Sequence, residues 1–278
     1  LTIDGNGHTI DGCNNSARAF RINNNNEVIF KNITFLNLGK TTSSYYGGAI
    51  YSSNGGGMIK AQDCEFIGCQ GYYGGAIYYV DAYNCTFRNC MCNGNYGYGG
   101  AAYYSNVINC TFVGNRAQSR NGGALYYGSA VNCTFESNQA WNGGATFNSH
   151  VINSTFKNNN AWGNGGGFYT SSTHLCINCS FIENMAGVND NSKYGGGMYG
   201  GTAILCHFER NIAANCGGAY NVALIFCTFK DNHVTRSGSN DYASCSFPYL
   251  RMMTSTISGN YPSVSLPLDL AYYSTYLL

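Results

Sequence analysis

Polar and apolar residues alternate in a short phrase that returns along most of this chain. Asn-Cys-Thr-Phe stands at Asn84–Phe87, Asn109–Phe112 and Asn132–Phe135, with variants at Asn153–Phe156, Asn178–Phe181, Leu205–Phe208 and Phe226–Phe229. A period of two places Cys and Phe on one face of a strand and Asn and Thr on the other. The small Cys and the large Phe form the predicted interior. A second phrase, Gly-Gly followed by Ala or Gly, alternates with the first at Gly47-Gly48, Gly74-Gly75, Gly99-Gly100, Gly122-Gly123, Gly143-Gly144, Gly166-Gly167, Gly196-Gly197 and Gly217-Gly218.

The spacing separates a rigid part of the repeat from a variable one. From the second Gly to the next Phe is 12 residues in four consecutive repeats, Gly75–Phe87 through Gly144–Phe156. From Phe to the following glycines the gap runs from 8 after Phe66, at Gly74, to 14 after Phe181, at Gly195. A constant segment must keep register with its neighbours, whereas a variable one bulges out as a loop. Strand formers dominate, and helical periodicity is missing. Self-similarity at this period predicts a stack of equivalent coils. The fold class is therefore all-β, a right-handed parallel β-helix (solenoid) of about ten coils. At about 4.8 Å per coil the rod is near 50 Å long. It reads as one domain: 1–40 are irregular first coils, 41–242 the regular repeats, and 243–278 a last coil with a C-terminal cap.

Stacking turns each repeat position into a column. Cys64, Cys85, Cys110, Cys133, Cys179, Cys206 and Cys227 form one, interrupted by Ser154, beside a Phe column from Phe66 to Phe229. Three residues after each Phe stand Asn115, Asn138, Asn159, Asn184, Asn211 and Asn232, with Cys69 and Cys90 in the early coils. Asn at such a bend tolerates unusual backbone angles and can bond its amide to the coils above and below. The Gly pairs mark another corner, where positive φ is expected. Opposite charges also fall one coil apart, as Glu136 and Lys157, Glu209 and Lys230, and Arg210 and Asp231. In-register stacking predicts that each pair lies side by side.

Composition narrows the function. Charged residues make up 10% of the chain and the net charge is +1, which excludes a strongly basic nucleic-acid binder. No apolar run approaches the length of a membrane-spanning helix. The sequence carries no signal peptide and does not begin with Met, so it reads as a mature form or an excised piece.

Gly-Gly-Ala-Ile combined with Phe-x-x-Asn resembles the repeat pair of chlamydial polymorphic outer-membrane proteins. The opening Ile-Asp-Gly-Asn-Gly-His-Thr-Ile-Asp-Gly, joined to Asn-Cys-Thr-Phe-x-x-Asn, is more similar still to adhesin-like surface proteins of methanogenic archaea. The likeness runs to about residue 232. It implies a β-helix fold and an extracellular, cell-surface location, and it implies no defined ligand. A cross-β sheath layer is a material of the same type.

Catalysis is not expected. Polysaccharide-cleaving β-helices need acidic side chains clustered on one external face, or a Ca²⁺ site with a basic residue nearby. The chain has 13 Asp plus Glu in all, without Asn-Thr-Asp, Asp-Asp or Gly-His-Gly. Asp190, in the loop at 188–193, reads as a solvated residue rather than an ion ligand. His8, His150, His174, His207 and His233 are scattered without ligand spacing. The lone Cys176-Ile-Asn-Cys179 is not a zinc motif by itself. No metal or cofactor is expected.

The column cysteines have parallel Cβ vectors, which suits a reduced ladder of small fillers better than disulfides. Cys13, Cys69, Cys90, Cys92, Cys176, Cys216 and Cys245 lie off that column and are the disulfide candidates. The sequons at Asn32, Asn84, Asn109, Asn132, Asn153 and Asn178 follow from the repeat itself, while Asn14 reads as a free glycan acceptor.

Two surfaces are candidates for interaction. After the Gly pairs stand Tyr51, Tyr78, Tyr103, Tyr126, Phe147, Tyr169 and Tyr199, with Ile50, Ile77, Leu125 and Met198 just before them. If the aliphatic residues point inward, the aromatic column is an outward ladder for sugars or a neighbouring subunit; otherwise Ala and Tyr fill the core. The second surface is the edge at Leu1, Thr2, Ile3 and Asp4, which enters a strand pattern at once and invites end-to-end pairing. The resulting expectation is a non-enzymatic, self-assembling surface protein whose partners are copies of itself. An adhesin stalk that binds cell-surface glycans is the alternative.

Overall fold

The computed structural model describes residues 1–23, 26–42, 45–53, 57–93, 97–187, 192–235, 252–253 and 256–258. The expectation of a cap over 243–278 lies mostly outside these, as do Asp190 and Cys245. Within the described residues every element is a strand, every strand pair is parallel, and no helix is long and apolar enough to cross a membrane. The strands stack into sheets of 17, 11 and 8 strands.

One coil shows the plan. Ala102–Ile108 belongs to the first sheet, Thr111–Val113 to the second and Arg116–Asn121 to the third. Left-handed residues make the bends: Tyr104 (φ 51) inside the first strand, Asn109 (φ 54) before the second and Gly114 (φ 65) before the third. After each bend the next residue, Ser105, Cys110 or Asn115, turns inward and is buried. The fourth corner is the Gly pair. Gly99 has φ 68, and a Cβ on Gly100 would lie 1.9 Å from the carbonyl oxygen of Gly123 in the next coil. The first glycine supplies the left-handed turn and the second permits the close approach of two backbones.

This corrects three sequence expectations. The Asn of Asn-Cys-Thr-Phe is no ordinary outward strand residue but the left-handed corner, where Asn is the best-tolerated side chain. The column from Asn115 to Asn232 does not take the unusual angles; the residue before each does, from Gly114 to Asp231. In later coils the turning pair is Gly165-Gly166 and Gly195-Gly196, one residue earlier than the phrase suggests, because Gly167 and Gly197 replace the inward Ala. Leu205 and Phe226 stand at left-handed corners too, 56% and 49% exposed, where six other coils use Asn.

Identical residues stack on themselves. Phe35, Phe66, Phe87, Phe112, Phe135, Phe156, Phe181, Phe208 and Phe229 form one buried pile with centroids 4.6 to 5.0 Å apart. Burial of each ring contributes about 2 kcal/mol. Beside it runs the buried Asn ladder. Asn138 Nδ2 donates to Phe112 O in the preceding coil and to Asn159 Oδ1 in the next, both at 3.0 Å, while its own Oδ1 accepts the Asn115 backbone N–H at 2.9 Å.

The cysteine column has the same logic with a weaker donor. Cys85 Sγ donates to Ala61 O at 3.5 Å in the preceding coil, and its backbone N–H donates to Cys110 Sγ at 3.5 Å. Ser154 fits the column because its hydroxyl accepts the Cys133 N–H at 3.0 Å. These cysteines are therefore polar ladder members as well as small fillers. Of the disulfide candidates, Cys216 is bonded, whereas Cys13, Cys69, Cys90, Cys92 and Cys176 are free. Cys69 and Cys90 occupy the Asn column, one above the other, and Cys92 packs inside the third sheet between Gly71 and Ala117 of the neighbouring coils. Burial pushes the Cys85 and Cys92 thiols well above the ordinary range.

The charge register holds where it was read on strands. Glu209 opposes Lys230, with Nζ and Oε1 3.4 Å apart, and Glu136 opposes Lys157. Arg210 departs from its expected partner Asp231 and pairs with Glu183 in the preceding coil at 2.9 Å. At a left-handed corner the side chain leaves the strand face, and register alone no longer chooses its neighbour.

Two measurements test these ladders. Asn138→Ala leaves the buried Asn115 N–H without a partner and takes one donor from Phe112 O, so urea unfolding should show a loss of about 2 kcal/mol; Asn138→Cys should cost clearly less. Thiol labelling with mass spectrometry should leave Cys85, Cys110 and Cys133 unmodified in the native chain and modify them on unfolding. A native Cys110–Cys133 bridge would contradict the ladder.

Candidate interaction face and a polar break in the coil

The aromatic column faces outward. Ile50, Ile77, Ala102, Leu125 and Met198 are fully buried, so the next residue along each strand must point away from the core. Tyr51, Tyr78, Tyr103, Tyr126, Phe147, Tyr169 and Tyr199 form one ladder with centroids 4.7 to 5.4 Å apart, and Tyr220 extends it. Phe147 is the most buried of them at 8% exposure.

Two flanking columns were not legible as part of this surface. Tyr79, Tyr104 and Tyr127 sit at left-handed corners, with Tyr104 stacked on Tyr127 at 4.8 Å. Tyr46, Tyr73 and Tyr98 precede the Gly pairs and lean on the next coil's ladder, Tyr46 on Tyr78 at 5.3 Å and Tyr73 on Tyr103 at 5.2 Å. The sequence signal was present in the doubled tyrosines Tyr72-Tyr73, Tyr78-Tyr79, Tyr103-Tyr104 and Tyr126-Tyr127.

The arrangement limits what this face can do. Ring faces inside the ladder are used against each other, and the Arg18 and Arg21 guanidinium groups lie over the Tyr51 ring at 5.2 and 5.5 Å. What remains for a partner is a row of ring edges and hydroxyls, repeated at the coil spacing. Burial, then neighbouring phenols, raises the pKa of Tyr78, Tyr103 and Tyr126, so they remain neutral hydrogen-bonding groups.

The other sequence candidate, Leu1–Asp4, is placed at one end of the stack. Thr2–Asp4 pairs through Ile3 and Phe30 with Val28–Lys31, and its second edge has no partner among the described residues.

The structure adds a site that the sequence reading missed. In register, the step from the outward aromatic to the inward residue of the column of Val107 is four residues at Tyr103–Val107, Tyr126–Ala130, Phe147–Val151 and Tyr199–Ala203, but seven at Tyr169–Cys176. Ser171, Ser172 and Thr173 are the extra residues. They lengthen a segment that is constant from Gly75 to Phe156, and they bring His150 and His174 to 4.7 Å between ring centroids. The histidines are thus not all scattered. The longer gap from Gly166 to Phe181, 15 residues instead of 12, was the available signal.

A hydrogen-bonded network holds this break. Thr170 Oγ1 donates to Asn148 Oδ1 at 2.9 Å, and Asn148 Nδ2 donates to the Tyr127 hydroxyl at 2.9 Å. Ser172 Oγ and Thr170 Oγ1 lie 2.7 and 2.9 Å from His174 Nδ1. Leu175 N–H donates to His150 Nδ1 at 3.3 Å. An open pocket of about 370 Å³ lies alongside, with Tyr169, Ser171, Thr173, Tyr199, Gly200 and Asn221 in its lining. It exists because the corner column of Tyr79, Tyr104 and Tyr127 gives way to smaller residues, and at Gly200 to no side chain.

The family model described as the right handed beta helix region matches residues 1–140, half of the chain. No curated protein and no solved structure matches the sequence.

Burial and the adjacent His150 hold the His174 pKa below its ordinary value. The unfolded chain takes up this proton near about pH 6.5, while the folded chain resists until lower pH. Stability should therefore fall as pH drops from about 7 towards 5, above the range where carboxylates titrate. Thermal unfolding of His174→Gln should show a shallower fall than the natural chain across that window; an identical fall would place the dependence elsewhere.

Proposed function

We propose a function from the premise that the chain belongs to the right-handed β-helix family: it is a non-enzymatic structural protein of the extracellular cell surface, a rigid scaffold that associates with copies of itself. The observation that carries this reading is how its side chains are used. Phe, Asn, Cys and Tyr bond or stack on their own counterparts in the next coil, which builds stiffness along one axis rather than a converging reaction centre. The phrases shared with adhesin-like surface proteins of methanogenic archaea and with chlamydial polymorphic outer-membrane proteins support the location.

Association has two candidate routes. The aromatic face presents edges and hydroxyls at the coil repeat, a spacing that only another β-stack reproduces. The strand Thr2–Asp4 offers end-to-end pairing if no coil precedes it in the mature protein. Sedimentation and negative-stain microscopy of the purified chain distinguish them. Growth along the coil axis is expected for end-to-end joining, and broad sheets for joined faces. A single chain at high concentration would overturn self-association, and release of products from a polysaccharide would overturn the non-enzymatic reading. The adhesin alternative is favoured by one observation, the polar pocket at Ser171–Thr173.

A further inference from the structure

The pocket beside the broken corner has a specific chemistry. No charged side chain lines it. Its rim carries the hydroxyls of Ser171 and Thr173 and the amide of Asn221, and its wall carries Tyr169 and Tyr199, stacked 4.7 Å apart. Ser171 and Thr173 are exposed, and their hydroxyls make no hydrogen bond among the described residues. Convergent neutral donors and acceptors beside aromatic edges suit a ligand with hydroxyls on its rim and C–H bonds on its faces. Charged ligands would find no counter-ion there.

We propose that this pocket binds a neutral saccharide, one or two sugar rings of a longer glycan lying across the coils. Its volume of about 370 Å³ falls at the small end of ligand pockets, which span about 300–1,000 Å³. The glycan-binding surface is then this break, where the ring edges of Tyr169 and Tyr199 stand beside neutral polar groups, and not the length of the ladder from Tyr51 to Phe147. The site is preformed. Ser172 N–H donates to Thr170 Oγ1 at 3.1 Å, Ser171 N–H donates to Asn148 Oδ1 at 3.1 Å, and His174 holds Ser172 Oγ. Little ordering of the insertion is left to oppose binding. Gly200 also keeps the floor low: a Cβ there would lie 2.1 Å from Thr170 O, and its φ of 74 suits glycine.

The inference needs the adhesin-type use of the fold and does not need self-association. It is tested on the full chain with neutral tetrasaccharides (cello-, laminari-, malto- and chito-) and an acidic galacturonate tetramer. Saturation-transfer NMR and calorimetry supply the readouts. At least one neutral tetrasaccharide should bind. The variant Ser171→Ala with Thr173→Ala and Asn221→Gly should weaken it at least about tenfold. Gly tolerates the φ of 56 at Asn221, and unchanged thermal unfolding would show that the variant folds. Tyr78→Phe, on the ladder and outside the pocket, should leave affinity unchanged. No binding of any neutral tetrasaccharide, equal affinity in the triple variant, or preference for the acidic one would overturn the proposal. Binding by a chain that sediments as a monomer would strike the structural reading and leave this one standing.

Discussion

The spacing between adjacent parallel strands, about 4.8 Å, governs this molecule. Each coil lies in register on the last, so every side chain meets its own counterpart above and below. Only residues that tolerate their copies at that distance can occupy a column. Phenylalanine does so by offset stacking, asparagine by donating one way and accepting the other, and tyrosine by stacking with its hydroxyl towards water. Like charges do not, which accounts for the alternation of Glu209 with Lys230.

The corners follow from the same constraint. A left-handed residue followed by a small inward one recurs at three bends of a coil, and the inward residue must both fit the interior and satisfy backbone groups of neighbouring coils. Asparagine, serine and cysteine meet this requirement with decreasing hydrogen-bond strength. This explains a cysteine-rich chain whose column thiols form hydrogen bonds rather than disulfides. The substitutions Cys90 for Asn and Ser154 for Cys are exchanges among members of one functional set.

Most of the fold was legible because a period of two inside a repeat of constant length leaves few alternatives. Cys85 and Phe87 were placed inward correctly on that ground, and the amide of Asn115 was read correctly as bonding to neighbouring coils. The bends were less legible. Alternation continues through Asn84 and Asn89 in sequence, yet positive φ there removes each from the strand. The aromatic column was visible with its direction open, but Tyr79, Tyr104 and Tyr127 beside it were not, because adjacent tyrosines look like alternate faces until a bend puts both outside. The His150–His174 pair was hidden by the three-residue insertion, which displaces His174 from the register of its own coil.

The Asn ladder also has a direction. Each amide reaches back to a carbonyl already laid down, as Asn211 does to Phe181 and Asn138 to Phe112, and each receives the N–H of the preceding coil. A coil's unmet donor is satisfied only by the coil that comes after it in the chain. The partners are 21 to 30 residues apart, so no step waits for a distant segment. A chain leaving the ribosome amino end first can therefore lay its coils in order of synthesis, each new turn sealing the one before it.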